Sequence, residues 1–373
     1  MALTVMQLLP ALEIGGVERG TLEIAAALTA RGHRALVVSG GGSMVAELCA
    51  AGAEHFEYAI GKKSLRTVLM IGRLKQLMVN EGVDIVHARS RLPAWIGHRA
   101  LRAIAREGRP RWVTTVHGPY SVNAYSRIMT SGERVIAISE FIRDYIQHNY
   151  PQVAPARIRT VPRGVDRSHY AAGYRPPREW QIHWRNEYPA LSGRRLLVLP
   201  GRLTRWKGQA DFIKLIGNLC VRGEPVHGLI VGGAAAARAP FEAELKSLVA
   251  AQELSTKITF LGHRDDLREI LALADIAYSL TAEPEAFGRT TIEALSLGTP
   301  VIGYDHGGTR EILKVVLPQG LVAPRDINGV ADLTQAFLAD PVTVPTTHPF
   351  TLERMQHETV DIYERLVADA HTA

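Results

Sequence analysis

Short apolar runs alternate with amphipathic stretches along this chain, and the pattern begins afresh near residue 195. In the first half the apolar runs are Leu3–Leu9, Ala35–Ser39, Asp84–Ala88, Trp112–His117, Arg134–Ile138 and Ile158–Val161. Helical patterns lie between most of them, at Val17–Ala30, Leu65–Asn80 and Pro93–Arg106. The second half offers Arg195–Pro200, Val226–Val231, Ile258–Leu261, Ile276–Ser279 and Pro300–Gly303 as strands. Its helical stretches are Gly208–Cys220, Phe241–Gln252, Thr290–Leu297 and Gly329–Leu338. Strand, helix, strand, helix specifies a parallel sheet covered by helices on both faces. The sequence therefore predicts two doubly wound α/β domains.

Length agrees, since 373 residues at about 150 per domain gives roughly two. The proline- and tryptophan-bearing stretch Arg167–Ser192 reads as an irregular boundary between them. We place the first domain at 1–168 and the second at 169–350. Thr351–Ala370 is expected to form a final helix, with Leu352, Met355, Val360, Tyr363 and Leu366 on its apolar side. No apolar run approaches the ~20 residues of a membrane span. Met1–Pro10 reads as a buried first strand and not as a leader peptide. With only Cys49 and Cys220, far apart, no disulfide framework is expected and a reducing, cytoplasmic setting fits.

The charge is unevenly distributed. Residues 1–165 hold 21 Lys and Arg against 12 Asp and Glu, whereas 166–373 hold 22 against 25. A basic half suits a polyanionic partner, and it equally suits a solvated arginine-rich surface. Lys62, Lys63, Arg66, Arg73 and Lys75 share a helical segment with Leu65, Val68, Leu69 and Leu77. That segment is either a basic amphipathic helix docking on an anionic membrane or a core-packed helix with a charged outside. The positive charge is spread without interleaved aromatics, so nucleic acid is not expected as a partner.

In open α/β sheets ligands bind beyond the carboxyl ends of the strands, and several unusual clusters fall there. Gly15-Gly16-Val17-Glu18-Arg19-Gly20 opens a helix, where glycines admit a ligand to the backbone and the helix N-terminus favours an anion. His117 ends a strand before Gly118-Pro119, and His87 is a weaker candidate of the same kind. Arg202 and Lys207 flank a loop leading into a helix, an arrangement suited to a diphosphate. Glu285 and Glu293 bracket Phe287, Gly288 and Arg289 where a helix should start, so that amides there would point at an anion. Asp305-His306-Gly307-Gly308 forms a further glycine-rich turn expected to add amides, and Gly262-His263-Arg264 follows another strand.

Taken in order, these clusters resemble the retaining GT-B glycosyltransferases of family 4, of the bacterial lipopolysaccharide-core or surface-glycan type. The E-x7-E pair Glu285 and Glu293 is the most specific element. It is followed by Gly298-Thr299-Pro300 and Gly307-Gly308, and preceded by Gly201-Arg202-Leu203 with Lys207-Gly208. The resemblance implies two Rossmann-like domains facing across a cleft, with the terminal helix 351–373 crossing back to the first. It implies a UDP- or GDP-sugar as co-substrate, no further cofactor and no metal. Arg202 and Lys207 would hold the diphosphate with the amides of Phe287, Gly288 and Arg289, and Glu293 the ribose. Glu285 and His117 would meet the transferred sugar, and His263 and Arg264 the base. Gly15 and Gly16 are counted with the donor-binding residues. The acceptor would be a lipopolysaccharide-core or other lipid-linked glycan at the cytoplasmic membrane face. A soluble sugar phosphate acceptor, a sugar-nucleotide epimerase and a non-catalytic nucleotide-sugar-binding protein remain open alternatives. One departure stands out. The junction reads Pro162-Arg163-Gly164-Val165-Asp166, where many members carry Asn in place of Arg163, and little functional effect is expected from it.

Overall fold

The computed structural model describes residues 2–13, 15–233 and 239–371. It divides into two compact units, Met1–Arg163 together with Leu352–Ala373, and Gly164–Thr351. The first unit therefore ends at Arg163, five residues before the position read from the sequence.

Unit one is a seven-stranded parallel sheet ordered β3-β2-β1-β4-β5-β6-β7. Its strands are β1 (Thr4–Leu8), β2 (Arg34–Ser39), β3 (Glu54–Glu57), β4 (Ile85–Ala88), β5 (Arg111–Val116), β6 (Arg134–Ala137) and β7 (Ile158–Thr160). The helices are α1 (Gly16–Ala30), α2 (Val45–Ala50), α3 (Leu65–Asn80), α4 (Arg91–Arg102), α5 (Glu140–Asn149) and the returning α13 (Leu352–His371). Strands buried on both faces need continuous apolar runs, and Val5, Met6, Leu8, Leu36, Val37 and Val38 are fully enclosed.

The terminal helix joins this core through Met355, Val360, Tyr363 and Leu366. Charge helps to seat it. Residues 352–373 carry two arginines and five acidic residues and lie on the basic unit, with Arg31 near Asp361 (3.4 Å) and Arg134 near Asp369 (3.4 Å), while a hydrogen bond joins His33 Nε2 and Glu364 Oε1 at 3.0 Å.

Unit two has six parallel strands ordered β10-β9-β8-β11-β12-β13. They are β8 (Arg195–Pro200), β9 (Val226–Val231), β10 (Ile258–Gly262), β11 (Ile276–Ser279), β12 (Val301–Tyr304) and β13 (Leu321–Val322). The helices are α6 (Arg178–Glu187), α7 (Gln209–Val221), α8 (Ala239–Ala251), α9 (Leu267–Leu273), α10 (Arg289–Leu297), α11 (Gly307–Val316) and α12 (Ile327–Ala339). The stretch read as an irregular boundary lies inside this unit and contains α6. Its Trp180, Trp184 and Tyr188 recur every four residues and stack along one face, with ring centroids 5.0 and 4.6 Å apart. Helical spacing prevails there over the flanking prolines.

In each sheet the strand order reverses once, between β1 and β4 and between β8 and β11. Those reversals are where a doubly wound fold opens a crevice for a ligand.

Candidate functional site

The loops after β8, β11 and β12 converge in unit two. Lys207 Nζ lies 2.5 Å from Glu285 Oε1, both side chains being more than four-fifths buried. The two candidates, 78 residues apart, thus form one charge-assisted pair. Lys207 also sits 4.5 Å from the centre of the Trp206 ring. Arg202 is exposed, and among the described residues nothing pairs with its guanidinium.

Gly208 makes this loop possible. Its φ of +83° is left-handed, and a Cβ there would lie 2.0 Å from the Leu280 carbonyl oxygen. Only glycine can therefore bring the Lys207 loop against the loop after β11.

Helix α10 starts at Gly288, again left-handed at φ +92°, and no side chain caps it. A helix N-terminus of this kind favours an anion. Phe287 is buried against Phe350, with ring centroids 5.8 Å apart, and anchors this start. Glu293 is buried in the second turn, with Arg289 Nε 3.4 Å from its Oε1. Burial, reinforced by the Glu293 carboxylate, pushes the hydroxyl of Tyr170 up. No spacing in the sequence pointed to Tyr170.

The Gly307-Gly308 turn has a different role from the one expected. The Gly308 amide donates to the Glu285 carbonyl at 2.7 Å. A Cβ on Gly308 would fall 2.3 Å from the Phe287 backbone. This amide is spent on holding the Glu285 loop. His306 helps, its Nε2 donating to the Thr281 carbonyl at 2.8 Å.

His263 is exposed, 3.3 Å from Asp265. Arg264 is committed, donating through Nε and Nη2 to Asp266 at 2.8 and 2.7 Å. That fork holds the Asp266 carboxyl below its usual range. Asp266 also accepts from Trp180 Nε1 at 2.7 Å, which ties the loop after β10 to α6.

Gly15, Gly16 and His117 belong to unit one. Gly15 is the extended N-cap of α1, and a Cβ there would lie 2.3 Å from a Glu18 carboxylate oxygen, whereas nothing crowds Gly16. At the carboxyl ends of β1, β4 and β5 lies a buried polar cluster. His87 is fully enclosed, with Nδ1 2.6 Å from the Tyr363 hydroxyl and Nε2 2.6 Å from Thr115 Oγ1. It joins the terminal helix to the sheet. Arg89, also enclosed, donates to Gln7 Oε1 at 2.6 Å. His117 accepts at Nδ1 from Arg163 Nη2 at 2.7 Å, while its buried Nε2 has no partner among the described residues. Burial first, then the neighbouring Arg163, Arg89 and His87, holds this imidazole well below its ordinary pKa. The departure at Arg163 thus touches a candidate residue directly.

Among the described residues, no group of three or more His, Cys, Asp or Glu side chains is placed to hold a metal ion. No helix there is long and apolar enough to cross a membrane.

Two Rossmann-like units with glycine-shaped strand-end loops and an E-x7-E pair define a GT-B glycosyltransferase. Residues 14–169 match Glycosyltransferase Family 4 and residues 181–351 match Glycosyl transferases group 1, and the chain belongs to family 4 of these enzymes. It is 23% identical to N-acetyl-alpha-D-glucosaminyl L-malate synthase of Bacillus anthracis, over 76% of this chain and 73% of that protein. It is 27% identical to the lipopolysaccharide core biosynthesis mannosyltransferase LpcC of Rhizobium leguminosarum bv. viciae, over 48% and 53% respectively. Among solved structures, Anabaena Alr3699/HepE in complex with UDP and glucose superposes with a TM-score of 0.83. It is 18% identical, and the match covers 97% of this chain and all of that one.

Proposed function

We propose that the protein is a retaining, metal-independent hexosyltransferase that takes its sugar from a UDP- or GDP-sugar. The Lys207–Glu285 pair carries this reading, because it sets a cation and a carboxylate side by side at the uncapped start of α10. Arg202, Lys207 and the first amides of α10 hold the diphosphate, and Glu293 takes the ribose hydroxyls. Glu285 and His117 bind the transferred sugar. As the bond between the anomeric carbon and the phosphate oxygen breaks, the leaving diphosphate gains negative charge. Preorganised cations and amides stabilise that charge without reorganising. The acceptor hydroxyl attacks from the face the diphosphate leaves, and its proton passes to the departing phosphate oxygen. A double displacement would need a carboxylate nucleophile at the anomeric carbon, and the sequence assigns no residue to that role.

For the acceptor we propose a lipopolysaccharide-core or other lipid-linked glycan. Helix α3 supports this. Leu74, Leu77 and Met78 face the core, while Val68, Leu69, Arg73 and Lys75 are exposed on the helix and Lys62 and Lys63 are exposed just before it. The side chains of Leu65 and Arg66, read as part of the same face, lie outside those described. Exposed apolar groups together with exposed cations on one segment suit an anionic membrane, each cation adding about 1 kcal/mol at the surface. The name of the LpcC relative agrees, whereas that of the malate synthase favours a second reading with a small soluble acceptor. Flotation with anionic vesicles separates the two. The lipid-linked reading expects binding that is lost when Lys62, Lys63, Arg73 and Lys75 are all changed to Glu.

The donor reading is tested by thermal shift with UDP, GDP, ADP and their sugar conjugates in EDTA. A nucleotide at 100 times its Kd should add about 2.7 kcal/mol. That gain should vanish in Arg202→Ala and Glu293→Ala. No stabilisation by any nucleotide, with EDTA or with added magnesium, would overturn the reading.

A further inference from the structure

The chain between β7 and unit two delivers Arg163 into the polar cluster at the carboxyl ends of β1, β4 and β5. Its side chain is buried, with Nη2 on His117 Nδ1 at 2.7 Å and Nη1 near Met355 Sδ at 3.7 Å. Helix α1 makes room for it. At Gly20 a Cβ would lie 2.4 Å from Nη1, so a side chain there and the guanidinium in place exclude each other.

A guanidinium has five donors and no acceptor, and it stays charged in proteins. The atom facing it on His117 must therefore offer a lone pair. Nδ1 carries no proton, and the neutral ring keeps its hydrogen on Nε2. Protonating Nδ1 would set two donors against each other beside a fixed positive charge. The other titratable and charged groups that bear on the ring, Arg89 and His87 from β4 and its end, also oppose protonation. Tyr120, whose hydroxyl accepts from the His117 amide at 3.2 Å, is held neutral by burial. What remains is a buried Nε2–H without an acceptor among the described residues. Leaving such a donor unpaired is costly, and a ligand oxygen would satisfy it.

We propose that Arg163 is a positioning residue that fixes His117 as a permanently neutral Nε2–H donor, which gives a hydrogen bond to an oxygen of the bound sugar and takes no proton during transfer. This deepens the proposed function and rests on it for the identity of the ligand. The coupling between Arg163 and His117 stands on geometry alone. In a general-base role His117 would have to accept a proton. Here Nε2 is already protonated, and Nδ1 is occupied by a cation.

The test uses the full chain labelled with 15N-histidine, and reads the tautomer from two-bond 1H–15N correlations. His117→Gln assigns the signals. The wild type should show His117 protonated at Nε2 only and unchanged between pH 5.5 and 8. Arg163→Met should let the ring titrate in that range and populate both tautomers, and Arg163→Lys should restore part of the wild-type pattern. Gly20→Ala gives a second route that favours the helix and keeps both side chains, yet denies the guanidinium its place. It should shift His117 in the same way, and it carries the test should Arg163→Met not fold.

With donor and acceptor supplied, both variants should lose between about 10- and 100-fold in kcat, the scale of a misplaced reacting group. Nucleotide affinity should be unchanged. A wild-type His117 that titrates near its ordinary value, or carries its proton on Nδ1, overturns the proposal. So does an altered tautomer with kcat intact. A wild type that neither binds nucleotide nor transfers sugar, but shows the expected tautomer, refutes the functional reading and leaves the Arg163–His117 coupling standing.

Discussion

Replacing Glu285 by Gln and Lys207 by Met should move nucleotide affinity in opposite directions. Lys207 Nζ is 2.5 Å from Glu285 Oε1, with both side chains mostly buried. In the proposed complex the same ammonium serves the diphosphate, so the carboxylate and the nucleotide compete for it. A hydrogen bond between charged partners contributes about 1.5–3 kcal/mol, and roughly half as much once one partner is neutral. Glu285→Gln keeps the shape and an acceptor oxygen but weakens the competition by about 1 kcal/mol. Affinity for UDP or GDP without its sugar should rise by roughly fivefold. Transfer should nevertheless fall, because the carboxylate that meets the sugar is gone. Lys207→Met removes a cation from the diphosphate, and about 2–3 kcal/mol lost there weakens binding by about 30- to 150-fold. Isothermal titration in EDTA measures both. If Glu285→Gln weakened nucleotide binding as much as Lys207→Met, the pair would be a joint binding element, and the competition argued here would be refuted.

Three further outcomes follow from the packing. Tyr363→Phe strips the hydroxyl from His87 Nδ1 in a fully enclosed site. It should cost about 1–3 kcal/mol, read as a lower thermal midpoint and as faster proteolysis of α13. Gly208→Ala meets both a left-handed backbone and the Leu280 carbonyl. It should destabilise unit two by more than about 2 kcal/mol, and soluble protein with wild-type nucleotide affinity would contradict that. Burial lowers His227, packed beside Thr259, to about 4 from an ordinary 6.5. Between those values the unfolded chain binds the extra proton, so this contribution is full above pH 6.5 and is lost as pH falls towards 4. It amounts to at most about 3.4 kcal/mol, and denaturant midpoints in His227→Gln should show a correspondingly flatter acid limb.

The strands were legible wherever parallel pairing buries both faces, as in Arg195–Pro200 and Val226–Val231, which form with the expected ends. Strand β3, Glu-His-Phe-Glu at the sheet edge, has no apolar run to announce it, and β13 is two residues long. Helix α6 escaped because prolines flank it, although its tryptophans already had helical spacing. The strand-end rule located the candidate loops. It could not show which side chains in them are already spent. Arg264 is absorbed by its near neighbour Asp266, and the Gly308 amide by the Glu285 carbonyl. Contacts across long separations, Lys207 with Glu285 and Arg163 with His117, follow from topology and leave no local trace. Arg163 was visible only as a departure whose consequence depended on finding Gly20 beside it.

The central claim is transfer with retention, driven by fixed cations and amides. The most direct measurement is the anomeric coupling constant of the first product formed from an α-linked nucleotide-sugar, followed by proton NMR in EDTA. The account predicts an α-linked product at a rate that added magnesium leaves unchanged. A β-linked first product, or a reaction that starts only when metal is added, would contradict it.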